Sequence, residues 1–166
     1  MTGSERVQVR RARPDEYDAV GALTESAYRS DGFLSHDSDY AQSLRDARRR
    51  AVEAELVVAV AGGELLGSVT FCPAGSPWRE IAGDGEAEFR MLAVGQDSRR
   101  RGAARALVQH CIARSRELDL HALVICSDVR MHKAQRLYAE LGFQRLPARD
   151  WSPLPGIDLR AFALTL

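Results

Sequence analysis

Long apolar runs are missing from this sequence, and with them the most direct route to a membrane: no stretch approaches the ~18 consecutive apolar residues that a spanning helix needs. The N-terminus, MTGSERVQVRRARPDEYD, has no apolar segment of the kind that marks a secretory leader. Cysteine is scarce. Cys72, Cys111 and Cys126 are odd in number and widely spaced, with no CxxC among them, which excludes a disulfide framework and a zinc knuckle. Such thiols suit a reducing compartment, so a soluble cytoplasmic protein is expected. Net charge is missing too: 23 basic residues balance 23 acidic ones, and no global field draws the chain to DNA or to an anionic bilayer. The four histidines, His36, His110, His121 and His132, show no metal-ligand spacing, so no metal is expected. Two nucleotide signatures are absent as well, GxxxxGK[ST] and GxGxxG.

What is present fits one globular domain over residues 1–166. Residues 7–12 alternate as a first strand. Pro14 with Asp15 and Glu16 opens a helix running to Tyr28, and 30–38 is a loop. The arginine-rich stretch 40–54 predicts a second, solvent-washed helix. ELVVAVA (55–61), Gly62-Gly63 and ELLGSVTF (64–71) predict a hairpin with a two-residue primed turn. A loop over 72–85 leads to a strand at 86–94. A helix follows over 102–118, then a short strand, ALVIC, at 122–126. Asp128 is placed as the N-cap of a helix over 129–141, with Gly142 as its C-terminal stop. Strands at 143–146 and 157–166 flank a loop, RDWSPLPG. The predicted class is α+β: a mixed sheet of about seven strands with helices on both faces.

The least ordinary segment is DSRRRGAARALV (97–108), where three arginines run into a glycine and two alanines at a helix start. A helix N-terminus exposes N–H groups and the positive end of its dipole, and small residues let an anion approach them. Arg99, Arg100, Arg101 and Arg105 add charge around Gly102, Ala103 and Ala104. The pattern suits a phosphate or diphosphate cradle. An exposed, arginine-rich helix start is the plain alternative. A nucleic-acid patch is disfavoured by the neutral chain and by the lack of an aromatic platform beside the arginines.

LAV (92–94) followed by RRRGAA (99–104) resembles the acetyl-CoA motif Q/R-x-x-G-x-G/A of the GCN5-related N-acetyltransferases, the GNAT superfamily. Arg99, Gly102 and Ala104 take its three defined places. Downstream, AQRLYAELGF (134–143) resembles the family's A-x-x-L-Y-x-x-x-G-F segment, and the predicted element order is similar along nearly the whole chain. The resemblance implies a sheet splayed between strands four and five by a bulge. It also implies acetyl-CoA as co-substrate, its pantetheine arm along Leu92, Ala93 and Val94 and its diphosphate over residues 99–105. The implied reaction is direct attack of an amine on the acetyl thioester.

For that chemistry, the resemblance makes Tyr138 the general acid, although its helical stripe with Ala134, Leu137 and Leu141 also reads as core. Glu88, with Glu86 behind it, is the carboxylate candidate for general base; its strand parity with Arg90 favours a structural ion pair, and a water chain is its rival. The Ala93 N–H is the expected donor to the carbonyl oxygen. Cys126 is a lesser candidate, as an acetyl-cysteine carrier. Met131 stands where the family often has a cofactor-contacting asparagine, so that contact is in doubt. On the acceptor side, Asp31, Asp37 and Asp39 are candidates to attract an amine, with Phe33 and Trp151 as apolar walls. The expected partners are a small-molecule or peptide amine, with a homodimer left open, and neither nucleic acid nor membrane. A non-catalytic acyl-CoA-binding or sensing module of the same fold is the alternative reading.

Overall fold

The computed structural model describes residues 5–34 and 38–166, so Asp37 and His36 lie outside the described residues. The chain forms two compact units, Met1–Phe71 with Met91–His110, and Cys72–Arg90 with Cys111–Leu166. Among the described residues the sheet has eight strands, close to the seven or so expected, in the predicted mixed α+β arrangement.

In the first unit, β1 (Gln8–Arg11) pairs antiparallel with β2 (Glu55–Ala61), which pairs antiparallel with β3 (Glu64–Cys72). Gly62 and Gly63 turn the β2–β3 hairpin with φ of 58° and 77°, the paired positive values of the predicted primed turn. One side of the hairpin packs on α1 (Tyr17–Ser30): Val20, Leu56 and Val58 are buried together with Ala47, and each large aliphatic removed from water contributes roughly 1.5–3 kcal/mol. The predicted helix over 40–54 is two helices, α2 (Tyr40–Arg45) and α3 (Ala47–Glu53). Asp46 divides them. Its backbone leaves the helical region (φ −80°, ψ 66°), and its carboxylate accepts the Arg49 N–H as the cap of α3. Nor is that stretch wholly solvent-washed: Arg50 is fully buried and donates to Thr70 Oγ1 and to the Leu44 carbonyl.

Two elements carry residues of both units, β4 (Glu86–Val94) and α4 (Ala103–Glu117), the latter starting one residue later than predicted. In the second unit the first part of β4 runs parallel to β5 (Ala122–Asp128), with Glu86 opposite Ala122 and Glu88 opposite Val124. That ladder ends there, while β5 continues against β8 (Ile157–Thr165) as far as Asp128–Leu159. The expected parting of strands four and five is therefore present as a ladder of three pairs. α5 (His132–Glu140) begins later than predicted because Asp128 completes β5. The Asp128 carboxylate turns to the N–H and guanidinium of Arg130 (2.9 and 2.8 Å) instead of capping the helix. β6 (Gln144–Arg145) and β7 (Trp151–Leu154) both pair with β8. The segment 151–154 had been expected as loop. It becomes a strand because Pro155-Gly156, with Gly156 at φ 82°, reverses the chain between Leu154 and Ile157. Phe89, Tyr138, Phe143 and Phe162 form this unit's aromatic core, with ring centroids 5.6–6.0 Å apart.

Candidate functional site

Within the first unit, residues 91–105 run from the apolar end of β4 into the arginine-rich turn before α4. Met91 has φ 56° in the middle of a strand, a left-handed residue that acts as a bulge and re-aims the side chains after it. Beyond it Leu92 and Val94 are half-buried and Ala93 is buried. Close approach of β3 is possible because residue 67 is glycine; a Cβ there would stand 2.6 Å from the Ala93 carbonyl oxygen. The Gly95 N–H then bonds the Leu66 carbonyl at 2.9 Å, which ties the end of β4 to β3.

The arginine turn follows. Arg99 is extended (φ −67°, ψ 155°), Arg100 is left-handed at φ 66°, and Gly102 is left-handed at φ 81°. Left-handed residues near a helix start turn successive N–H groups to one side, an anion-binding concavity. The first helical bond runs from the Ala106 N–H to the Gly102 carbonyl at 3.0 Å, so the N–H groups just before it lack an intrahelical acceptor. A Cβ built on Gly102 would meet nothing within 4 Å. Glycine is thus required by its backbone angle, and the space before it is open. Ala103 is buried and serves packing, while Gly102 and Arg100 face solvent. These features fit a diphosphate.

Two of the three adjacent arginines already hold carboxylates. One Arg99 nitrogen donates to both oxygens of Asp31, at 2.7 and 2.9 Å. Arg101 donates to Glu64 at 3.0 Å. Asp31, a candidate amine-attracting acid from sequence, is thus paired with Arg99. Phe33 is half-buried, edge-on to Tyr28 at 6.5 Å, and Asp39 is exposed.

The second unit holds Glu88, Tyr138 and Trp151. Glu88 is fully buried, and its Oε1 accepts three consecutive N–H groups, from Glu80, Ile81 and Ala82, at 3.0, 2.8 and 3.0 Å. Its Oε2 is buried with no hydrogen-bond partner among the described residues. The expected ion pair with Arg90 does not form. Arg90 instead meets Glu80 at 2.9 Å, lies 5.9 Å over the Trp78 ring, and donates to the Trp78 carbonyl at 3.0 Å. The main chain of 80–82 fills only Oε1 of Glu88, while the Arg90 guanidinium is held at Glu80 and the Trp78 carbonyl. Burial raises the Glu80 carboxyl above its ordinary value, opposed by Arg90 and reinforced by the Glu88 charge.

Tyr138 is buried among aromatic rings, and burial pushes its phenol well above the usual range, so it stays protonated at neutral pH. Cys126 takes a hydrogen bond from Trp151, yet burial pushes its thiol up to about 12. A thiol held protonated is a poor nucleophile, which argues against the acetyl-cysteine route. Trp151 is 38% exposed and Leu154 64% exposed on β7. Glu86 belongs to a structural tie, bonded to Arg149 at 2.6 Å and to the Gly83 N–H at 2.7 Å. No cluster of His, Cys, Asp and Glu able to hold a metal occurs among the described residues. Trp78 and Glu80 were missed from sequence, and Arg90 was named there only as a partner of Glu88. The only signal was SPWRE (76–80), an aromatic and two charges inside a stretch that otherwise reads as loop.

Comparison with known proteins agrees with this geometry. Residues 19–143 match the model of the acetyltransferase (GNAT) family. No curated protein matches the chain by sequence. Among solved structures the chain is similar to yncA of Salmonella typhimurium, determined with its cofactor acetyl-CoA: 21% identity, 96% of this chain and 94% of that one, TM-score 0.69. It is also similar to a GCN5-related N-acetyltransferase from Kribbella flavida, at 23% identity, 96% and 98% coverage and TM-score 0.71. A ribosomal-protein-alanine N-acetyltransferase from Brucella melitensis matches at 19% identity, 96% and 99% coverage and TM-score 0.70.

Proposed function

From the premise that this chain belongs to the GNAT acetyltransferase family, we propose that it is an acetyl-CoA-dependent N-acetyltransferase acting on a primary amine by direct attack in a ternary complex. The observation that carries the reading is the turn before α4, left-handed at both Arg100 and Gly102, with open space at Gly102. Gly102, Ala103 and Ala104 would hold the diphosphate through main-chain N–H groups, with arginine charge beside them. Leu92, Ala93 and Val94 would hold the pantetheine arm by strand-like hydrogen bonding. Bound there, the co-substrate supplies an activated acetyl thioester.

The chain's own residues then have three tasks. The Ala93 N–H donates to the carbonyl oxygen on which charge develops. Tyr138 is the proposed proton donor to the departing thiolate; burial raises its phenol, which keeps the proton on oxygen at neutral pH and rules out a base there. Glu88 offers one bare carboxylate oxygen, Oε2, while Oε1 is occupied by main-chain donors. That free lone pair is the feature supporting Glu88, directly or through a water, as the acceptor of the ammonium proton. The amine is a small molecule or a peptide; Phe33 and Trp151 are its proposed apolar walls. Three free cysteines favour a cytoplasmic setting.

A non-catalytic acyl-CoA-binding module is the second reading, favoured by Met131, which caps α5 without any side-chain hydrogen bond. Calorimetric titration with acetyl-CoA, followed by thiol-release assays over amines, amino acids and peptides, separates the two. Saturable binding with amine-dependent thiol release supports the enzyme; binding without release across the panel supports the module. In the enzyme, Tyr138→Phe lowers kcat by about 10–100-fold with an unchanged dissociation constant. Equal rates for both proteins remove Tyr138 from the chemistry.

A further inference from the structure

The two oxygens of the buried Glu88 are treated differently. Oε1 accepts the N–H groups of Glu80, Ile81 and Ala82, while Oε2 meets no hydrogen-bond partner among the described residues. A buried carboxylate kept only for structure does better with both oxygens bonded. Three donors on one oxygen also fix where the other points. Those donors come from residues 79–83, a segment that belongs to no helix or strand. Its path is held by side chains instead. The Glu80 carboxylate meets Arg90 at 2.9 Å, the Arg79 guanidinium donates to the Gly83 carbonyl at 3.3 Å, and the Gly83 N–H donates to Glu86 at 2.7 Å. One tie comes from far along the chain. Arg149 lies in the short turn Pro147–Arg149 between β6 and β7. One of its nitrogens donates to the Ile81 carbonyl (3.3 Å) and to Glu86 Oε1 (2.6 Å), and the other to Glu86 Oε2 (3.4 Å). Ile81 is the middle one of the three residues that hold Glu88.

We propose that Arg149 is a positioning residue for the proton acceptor: by fastening Ile81 and Glu86 it keeps the 80–82 N–H groups converged on Glu88 Oε1, and so keeps Oε2 bare to take the ammonium proton. The reason is geometric. Ile81 gives its N–H to Glu88 and its carbonyl to Arg149, so the carboxylate and the guanidinium grip two successive peptide units. The Glu86 side chain, 10% exposed, anchors the guanidinium through charge-assisted bonds. Without that grip the three donors are free to spread over both Glu88 oxygens, which costs Oε2 its lone pair or its direction. A displacement of about 1 Å in a group that must receive a proton is enough to slow a reaction by up to ~100-fold. Arg149 also stands two residues before Trp151, so one tie sets the base and the proposed acceptor wall in the same frame.

This inference rests on the reading of Glu88 as the proton acceptor. The test measures thiol release from acetyl-CoA with the amine that reacts fastest in the panel above, per molecule able to bind coenzyme A. Arg149→Met keeps an apolar stem and removes the guanidinium. Its kcat is expected to fall about ten-fold, with coenzyme A affinity within about two-fold of the parent and faster hydrogen exchange at 80–82. Glu88→Gln keeps an acceptor for the three N–H groups and should turn over about 100-fold more slowly. The double variant decides. With Glu88→Gln in place, adding Arg149→Met should change kcat by less than about two-fold, because the carboxylate it acts through is already gone. A merely structural arginine would lower kcat by the same factor in both backgrounds, and that result overturns the proposal. So does an unchanged kcat, or unchanged exchange at 80–82, in Arg149→Met. Where that variant does not fold, Glu86→Gln weakens the same tie. It should lower kcat about three-fold in the parent and not at all beside Glu88→Gln, and equal losses in both overturn the proposal. Parent-like turnover by Glu88→Gln, or no thiol release from the parent with any amine, overturns the reading beneath it, and this inference falls with it.

Discussion

The turn before α4 and the Glu88 cluster solve opposite problems. In the first unit, residues 99–104 present main chain to solvent, with two left-handed residues and charges mostly paired at the surface. In the second, a fully buried carboxylate is satisfied on one oxygen by three N–H groups and left bare on the other. The first is made by backbone angles over a few consecutive residues. The second is made by a side chain on β4 capturing a loop six to eight residues upstream. The ion pairs at this surface turn contribute little to folding stability, because solvent screens each one. The buried carboxylate matters more, because removing it orphans every donor aimed at it.

Several measurements break or sharpen this contrast. The largest effect is expected from Gly102→Glu, which puts a carboxylate in the open space where the diphosphate is proposed and adds strain at φ 81°. Coenzyme A affinity should fall at least ~100-fold, while the fold survives because the new Cβ meets no neighbour. Retained affinity would mean the anion binds elsewhere. Next comes Glu88→Ala, which leaves three N–H groups without their acceptor; a loss of about 3 kcal/mol in chemical denaturation is expected, with hydrogen exchange at 80–82 speeding up. Gly67→Ala should cost about 2 kcal/mol by pushing its methyl against the Ala93 carbonyl, and should weaken coenzyme A binding through the displaced end of β4.

The smallest effect concerns pH. A hydrogen bond from Arg10 holds the Glu16 carboxyl at about 2 in the first unit, and one from Arg145 holds Asp150 at about 2 in the second. Both folded values lie below the ordinary ones of 4.5 and 3.8, so the stabilisation is full above those values and is lost as pH falls toward about 2. After allowance for solvent screening each pair contributes about 1 kcal/mol at neutral pH. Glu16→Gln and Asp150→Asn should thus lower the melting temperature by a few degrees at pH 7 and by almost nothing near pH 2. A difference that persists at pH 2 would assign the loss to packing.

What could be read in advance follows the same division. The β2–β3 hairpin was legible because Gly62-Gly63 fixes its turn locally and because largely apolar runs flank it on both sides. The turn before α4 was legible for the same reason: Arg99, Gly102 and Ala104 are neighbours in sequence, and a helix start needs no distant partner. The split at Asp46 carried a local signal too, an N-cap residue inside an arginine-rich run, but the stronger helical stripe of Leu44, Ala47 and Ala51 hid it. β7 was obscured because Trp151-Ser152-Pro153-Leu154 lacks alternation and becomes a strand only against β8. Arg90 finding Glu80 instead of Glu88 could not be read at all. Strand parity puts Glu88 and Arg90 on one face, but the competing donors come from 80–82, whose path no local rule prescribes.

Sequence alone determined the class of most elements, their order, and the small-residue turn before α4, because each depends on propensities and spacings acting within a few residues. Only the tertiary structure decided which charges are spent on one another: Asp31 on Arg99, Glu64 on Arg101, Glu80 on Arg90, and Glu88 on three main-chain amides. Those pairings are set by distances of a few ångströms between different segments, and partner choice there follows from which groups the tertiary fold brings within hydrogen-bonding reach.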